Sequence, residues 1–150
     1  MSSTQFTKKQ YGFTLIEILV VIGIIAVLAG IVLIAINPAR QFAQSRNAER
    51  WSSVNALLNS VGQNLADRKG SLCFSGMTTA TATIRSAAGG VNMACLVPDY
   101  IPQLPVDPTT GSWTSTTDYD TGYTVKQDAN GRITIAAPAA ELGEAITVTR

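Results

Sequence analysis

With 150 residues, 11 Lys and Arg against 10 Asp and Glu and a formal net charge of +1, the chain has room for one modest folded core beside any membrane segment, which excludes a multi-domain protein. The near balance of charge excludes the basic footprint of a dedicated nucleic-acid binder. Histidine is absent, which removes the commonest catalytic base and leaves an enzyme to rest on scattered carboxylates, so the chain is read as a non-enzyme without a cofactor.

The first residues, Met1 to Gly12, are short and polar, with Lys8 and Lys9 as a basic flank and no acidic residue. From Ile18 to Ile36 there is no charge and nothing more polar than glycine. At 1.5 Å rise per residue that run matches a hydrocarbon core of about 30 Å and predicts a membrane-spanning helix. It is longer than the apolar region of a secretory signal peptide, and a glycine precedes it where a signal peptide has a small-residue cleavage site behind it. Arg40, Arg46 and Arg50 lie beyond its far end, so Lys and Arg alone do not fix its orientation. Glu17 stands at its start. A carboxylate in hydrocarbon costs on the order of 2.5 to 3.5 kcal/mol on insertion scales, so Glu17 needs a partner.

The succession of a basic leader, Gly12, Phe13, Thr14-Leu15-Ile16, Glu17 and a long apolar helix resembles the type IV pilin family, including the pseudopilins of type II secretion. The motif GFTLIE with an apolar tail is highly specific, and the close match covers about Lys8 to Ile36. The resemblance implies an α+β type IV pilin fold, in which a long amino-terminal helix, its first half transmembrane, packs on a small antiparallel β-sheet head. It implies a leader, 1–12, removed by a prepilin peptidase that cuts between Gly12 and Phe13 and methylates the new amine of Phe13. The mature chain would comprise a transmembrane or filament-core half of the helix at 13–36, an amphipathic half at 37–70 and a head at 71–150. The partners implied are further copies of the chain in a helical homopolymer, the peptidase, an assembly ATPase and a membrane platform protein. The precursor would be single-pass in the cytoplasmic membrane and the filament would stand at the cell surface.

By this resemblance Glu17 pairs with the Phe13 ammonium of a neighbouring subunit inside an apolar filament core, where opposite charges attract far more strongly than in water. The alternative is a carboxylate that snorkels to the headgroups. Gly23 and Gly30 lie on nearly one side of the helix and suit close helix contact, or are merely tolerated.

Asn37-Pro38 predicts a kink or a locally melted turn, because proline removes a backbone donor and clashes with the preceding turn. Helical spacing then resumes: Trp51, Val54, Leu58, Val61 and Leu65 make an apolar stripe, with Leu57 beside it, expected to pack on a sheet. Phe42 turns to the other side, toward a filament interior. Arg40, Arg46, Glu49 and Arg50 read as a solvated face, or as unlike charges between packed subunits. Gly70, after Arg68-Lys69, is a helix stop. From Phe13 to Lys69 a continuous helix would measure about 85 Å.

Ser71 to Gly90 is a connection with a short strand near Ala82 to Arg85, and the alternation Val91, Met93, Cys95, Val97 predicts another strand. Cys73 and Cys95, an even count beyond the membrane segment, suit a disulfide in an oxidising compartment, with two free buried thiols as the alternative. The prolines from Pro98 to Pro108 predict an ordered crossing loop, and Leu104-Pro105-Val106-Asp107-Pro108 resembles a loop of major pseudopilins. Thr109 to Thr117, around Trp113, reads as a surface loop. Tyr123 and Val125, the turn Asp128 to Gly131, and Ile133 and Ile135 predict a hairpin, and Ile146 and Val148 a third strand that together cover the helix stripe.

Asp118, Asp120 and Asp128 are weighed as calcium ligands, but their spacing is not that of an EF-hand; they are read as turn formers, and no metal is expected. The chain is thus expected to be a structural subunit, a major pilin. The alternatives are a secretion or competence pseudopilin and, from a different class, a single-span anchored binding domain that never polymerises.

Overall fold

The computed structural model describes residues 12–150, so the leader cations Lys8 and Lys9 lie outside the described residues. The described residues form two compact units, one ending at Pro38 and the other running from Ala39 to Arg150.

The first unit is α1, Leu15–Ile36, whose 22 residues span about 33 Å. It is apolar on every side, buries none of its residues within the chain, and is long and apolar enough to cross a membrane. It ends at Asn37, which takes the left-handed conformation at φ 47°. Asparagine tolerates that conformation, and Pro38 then opens a new helix at the first position, where its missing N–H has no intrahelical acceptor to lose. The interruption expected at Asn37-Pro38 is thus a break of a single residue between two helices.

The second unit holds all but the first residue of α2, Pro38–Asp67, followed by β1 (Ala82–Arg85), β2 (Ser112–Ser115), β3 (Asp118–Gln127), β4 (Ile133–Ala137) and β5 (Ile146–Thr149). All pairings are antiparallel, in the order β1-β3-β4-β5, with β2 also on β3. Along β3 the inward positions are Tyr119, Thr121, Tyr123 and Val125; register carries Val125 opposite Ile135 and Ile135 opposite Val148. That face meets Val54, Leu57, Leu58 and Val61 of α2, with Val91, Met93, Leu96 and Leu104 from the connections completing the core. This is the α+β arrangement of a type IV pilin fold: a long apolar helix, a second helix and a small antiparallel sheet.

The buried stripe of α2 differs from the expected one. The expected Val54, Leu57, Leu58 and Val61 are buried, but the line of deepest burial runs Ala43, Asn47, Arg50, Val54, Leu57, Val61 and Asn64, in alternating steps of four and three, with Ser53, Leu58 and Ser60 beside it, while Trp51 and Leu65 are only half-buried. The axis of burial is rotated toward Leu57, and it carries polar side chains at both ends. The helix unwinds through Lys69 and Gly70, both at positive φ, and the Gly70 N–H closes on the Leu65 carbonyl at 2.8 Å.

Two expectations fail locally. The segment Val91–Val97 is not a strand: Val91 makes one parallel bridge to Ile84, and Ala94–Leu96 is a 3₁₀ turn. Side chains claim the backbone there, since the Asn92 Oδ1 accepts from the Ala94 N–H at 2.9 Å and the Tyr119 hydroxyl accepts from the Met93 N–H at 2.8 Å. The stretch Thr109–Thr117 is not all loop, because Ser112–Ser115 pairs with β3 and Trp113 stacks obliquely on Tyr119, ring centres 5.2 Å apart. The sheet thus has five strands: the three expected to cover the helix, the short strand expected at Ala82–Arg85, and the unexpected Ser112–Ser115.

Candidate functional site

At the amino-terminal end of the described chain, Gly12 and Phe13 are exposed and Thr14 caps α1. The Thr14 hydroxyl accepts from the Glu17 N–H at 3.3 Å, and the Glu17 carboxylate accepts from the Thr14 N–H at 3.4 Å. This reciprocal pair is a capping box, and the carboxylate lies at the positive end of the helix dipole. The partner expected for Glu17 was a neighbour's amine; within one chain the same carboxylate is held by its own backbone. The pattern Thr14-x-x-Glu17 is visible in the sequence and was the missed signal. Behind it, Gly23 and Gly30 have nothing within 4 Å of where a Cβ would sit, leaving two shallow places on α1 for another helix.

A family model, described as the prokaryotic N-terminal methylation motif, matches residues 7–33, so the match spans Gly12, Phe13, Glu17 and most of α1. The amino terminus is that of a type IV pilin-like precursor. No curated protein and no solved structure matches the chain. The chain therefore carries a motif that implies processing by a prepilin peptidase, on a helix long and apolar enough to cross a membrane.

In the folded head, the charges expected on a solvated face are partly sealed inside. Arg50 is fully buried. Its Nε donates to Asp107 Oδ2 at 2.7 Å, its Nη1 to Glu141 Oε2 at 2.9 Å and to Asn47 Oδ1 at 3.0 Å, and its Nη2 to the Thr109 hydroxyl at 2.9 Å. Arg46 clamps Glu141 with two bonds of 2.6 and 2.7 Å. Burial of Arg50 is sustained because a guanidinium offers five donors, and the loops at 104–111 and 138–145, with Asn47, bring an acceptor to each.

Burial pushes the Asp107 carboxyl up, but the Arg50 guanidinium, the Thr109 hydroxyl and the Thr109 and Thr110 N–H groups outweigh it and hold the group well below the usual carboxylate range. Glu141 is lowered to about 2 by Arg46 first and Arg50 second. Arg50 is raised, chiefly by its bond to Asp107. Neither Asp107 nor Glu141 was singled out as Arg50's partner; the only sequence hint was the pseudopilin-like loop that contains Asp107.

Cys73 and Cys95 form a disulfide, with Cα atoms 6.1 Å apart, tying the connection after α2 to the 3₁₀ turn. The Asn64 carboxamide accepts from the Cys73 N–H at 3.0 Å and steadies the same corner. Asp128 accepts from the Asn130 and Arg132 N–H groups and from the Arg132 guanidinium, and Asp120 accepts from the Gly122 N–H. With Asp118 at the start of β3, these three do not converge, and among the described residues no group of three His, Cys, Asp or Glu side chains is placed to share a metal ion.

Proposed function

We propose that the chain is the major structural subunit of a type IV pilus, a non-enzyme cleaved after Gly12, N-methylated at Phe13 and polymerised into a helical surface filament. The observation that carries this reading is the methylation motif at residues 7–33 leading into α1, with one acidic residue, Glu17, at the head of an otherwise uncharged helix. In the isolated chain Glu17 holds Thr14 through a bond at the long end of the useful range, one easily exchanged for a stronger, charge-assisted bond. Cleavage after Gly12 creates such a donor, the Phe13 ammonium. On assembly the Glu17 carboxylate of one subunit takes the Phe13 amine of the next, and the pair sets axial register in a core from which water is excluded. The assembly ATPase and platform protein supply the work of extraction from the membrane.

The direct test is amino-terminal mass analysis of surface fibres sheared from cells. N-methylated Phe13 is the expected terminus, and retention of Met1 to Gly12 in the fibres overturns the maturation scheme. The variant Glu17→Val is expected to enter the membrane at the normal level and to lose most filament yield; fibres at the unmodified level would remove Glu17 from assembly. A pseudopilin is the second reading, favoured by the loop Leu104-Pro105-Val106-Asp107-Pro108. Long fibres at native expression separate a pilus from a pseudopilus, and absence of any polymer from sheared cells marks a non-polymerising anchored domain.

A further inference from the structure

We propose that Asn130–Gly131 is a self-modifying site: the Gly131 backbone nitrogen attacks the Asn130 carboxamide, and the β3–β4 turn ages into aspartate and isoaspartate forms. The turn runs from Asp128 to Gly131, with the Gly131 N–H bonded to the Asp128 carbonyl at 3.0 Å and the Asp128 N–H to the Arg132 carbonyl at 2.9 Å. Asn130 and Gly131 are exposed at its tip. The Asn130 N–H donates to Asp128 Oδ1 at 2.9 Å, but its carboxamide makes no hydrogen bond among the described residues. Gly131 stands at φ 83° without a Cβ, and the nearest atom to one built there is Gln127 Nε2 at 3.9 Å. Nothing crowds the nitrogen that has to approach the carboxamide.

The reaction needs only water, and neither a partner nor assembly, so it stands or falls separately from the filament reading. The Gly131 nitrogen gives up its proton and bonds to Asn130 Cγ; the bond from Cγ to the side-chain nitrogen breaks, and that nitrogen leaves as ammonia. A cyclic imide remains. Water then opens it at either carbonyl. Attack at Cγ breaks its new bond to the Gly131 nitrogen and restores the main chain, with aspartate at position 130. Attack at the main-chain carbonyl of residue 130 leaves the Gly131 nitrogen on Cγ, so the main chain runs through the side chain as isoaspartate and gains a carbon. Nothing is oxidised or reduced. Ring closure requires the bond from Gly131 to Asp128 to open, a local event at an exposed tip that leaves the core intact.

The fold restrains every other asparagine. Asn37 precedes Pro38, whose nitrogen has no proton to lose. Asn47, Asn55, Asn59 and Asn64 lie within α2, where the nitrogen that follows each is committed to a helical hydrogen bond, and Asn47 and Asn64 are buried as well. The Asn92 carboxamide is held by the Ala94 N–H and the Tyr119 hydroxyl, and the Met93 nitrogen that follows it donates to the same hydroxyl at 2.8 Å. At Asn130 the products change both charge and backbone. A carboxylate, ionised at neutral pH, appears two residues from Asp128, beside Arg132 and Arg150 on the groove that residues 130–132 line. The isoaspartate form also lengthens a turn that the Gly131 N–H closes.

The test ages the purified full chain in detergent, at mildly alkaline pH for days in oxygen-labelled water, with a chemically denatured sample alongside. Digestion in ordinary water, by cleavage after Lys and Arg, releases peptide 127–132, whose one asparagine is Asn130. In the folded chain this peptide is expected to split into asparagine, aspartate and isoaspartate forms, while the peptide that carries Asn92 stays unchanged. Both products carry heavy oxygen, which separates ageing from any conversion during digestion. The rate is expected to rise with pH, since the attacking nitrogen has to lose its proton. Asn130→Gln, whose longer side chain closes a less favourable ring, is expected to lose both products. Conversion in the denatured sample with none in the folded chain overturns the proposal, because the hairpin then protects the site. Absence of conversion in both samples overturns it, as does conversion of Asn92 at an equal rate in the folded chain.

Discussion

At the scale of single residues, the head depends on a charge that sequence reading leaves in solvent. Arg50 stands in a polar run and looks exposed by composition, yet it falls on the same four-and-three spacing as Val54, Leu57 and Val61. The spacing was legible; the bias was to count only apolar members. What could not be read is the identity of its partners, because Asp107 and Glu141 are 57 and 91 residues away and no local pattern links them. Removing one partner strands the other in a dry site, so Asp107→Ala is expected to destabilise the head by about 3 to 5 kcal/mol, read from denaturant unfolding by the fluorescence of Trp51 and Trp113. The pH dependence follows from the same groups. Asp107 and Glu141 have folded pKa values below their unfolded ones, so the stabilisation they give is complete above the ordinary carboxylate pKa of about 4 and is lost as pH falls toward the folded values. The unfolding midpoint is expected to be level from about pH 7 to pH 5 and to drop below about pH 4; a midpoint unchanged down to pH 3 contradicts the assignment.

At the scale of elements, local chemistry was the readable part. The apolar span, the Asn37-Pro38 break, the Gly70 stop and the β3–β4 hairpin each follow from residues within a few positions of one another. The strand expected at Val91–Val97 failed because alternation was present while the backbone donors were already taken by Asn92 and Tyr119, a tertiary effect. The strand at Ser112–Ser115 was hidden in a Ser- and Thr-rich run whose value lies in pairing with β3. The Cys73–Cys95 bridge spans this less regular region, across a separation of 22 residues. For a loop of that size the chain-entropy estimate gives about 3 kcal/mol, so Cys73→Ser with Cys95→Ser is expected to lower stability by that order, measured against the unmodified chain with and without reductant. A reductant that leaves the unmodified chain's stability untouched would argue against the bridge.

At the scale of the whole molecule, two units answer to two solvents. The first is apolar all round and buries nothing internally; the second has its own core, sheet and disulfide. The site proposed for assembly, Gly12, Phe13 and Glu17, was readable because a peptidase and a membrane both act on short local signals.

The Arg50 network also orders events in time. Its bonds join residue 50 to residues 107 and 141, so the clamp cannot close until the loops that follow β1 and β4 have arrived. Such distant pairings are paid in loop entropy before they return any stabilisation, which makes closure a late step. Until then the amino-terminal half of α2 presents Asn47 and Arg50 to water along its future inner face. The inner face of that half of α2 is therefore one that water can solvate before the two loops cover it, unlike the apolar half that follows at Val54, Leu57, Leu58 and Val61.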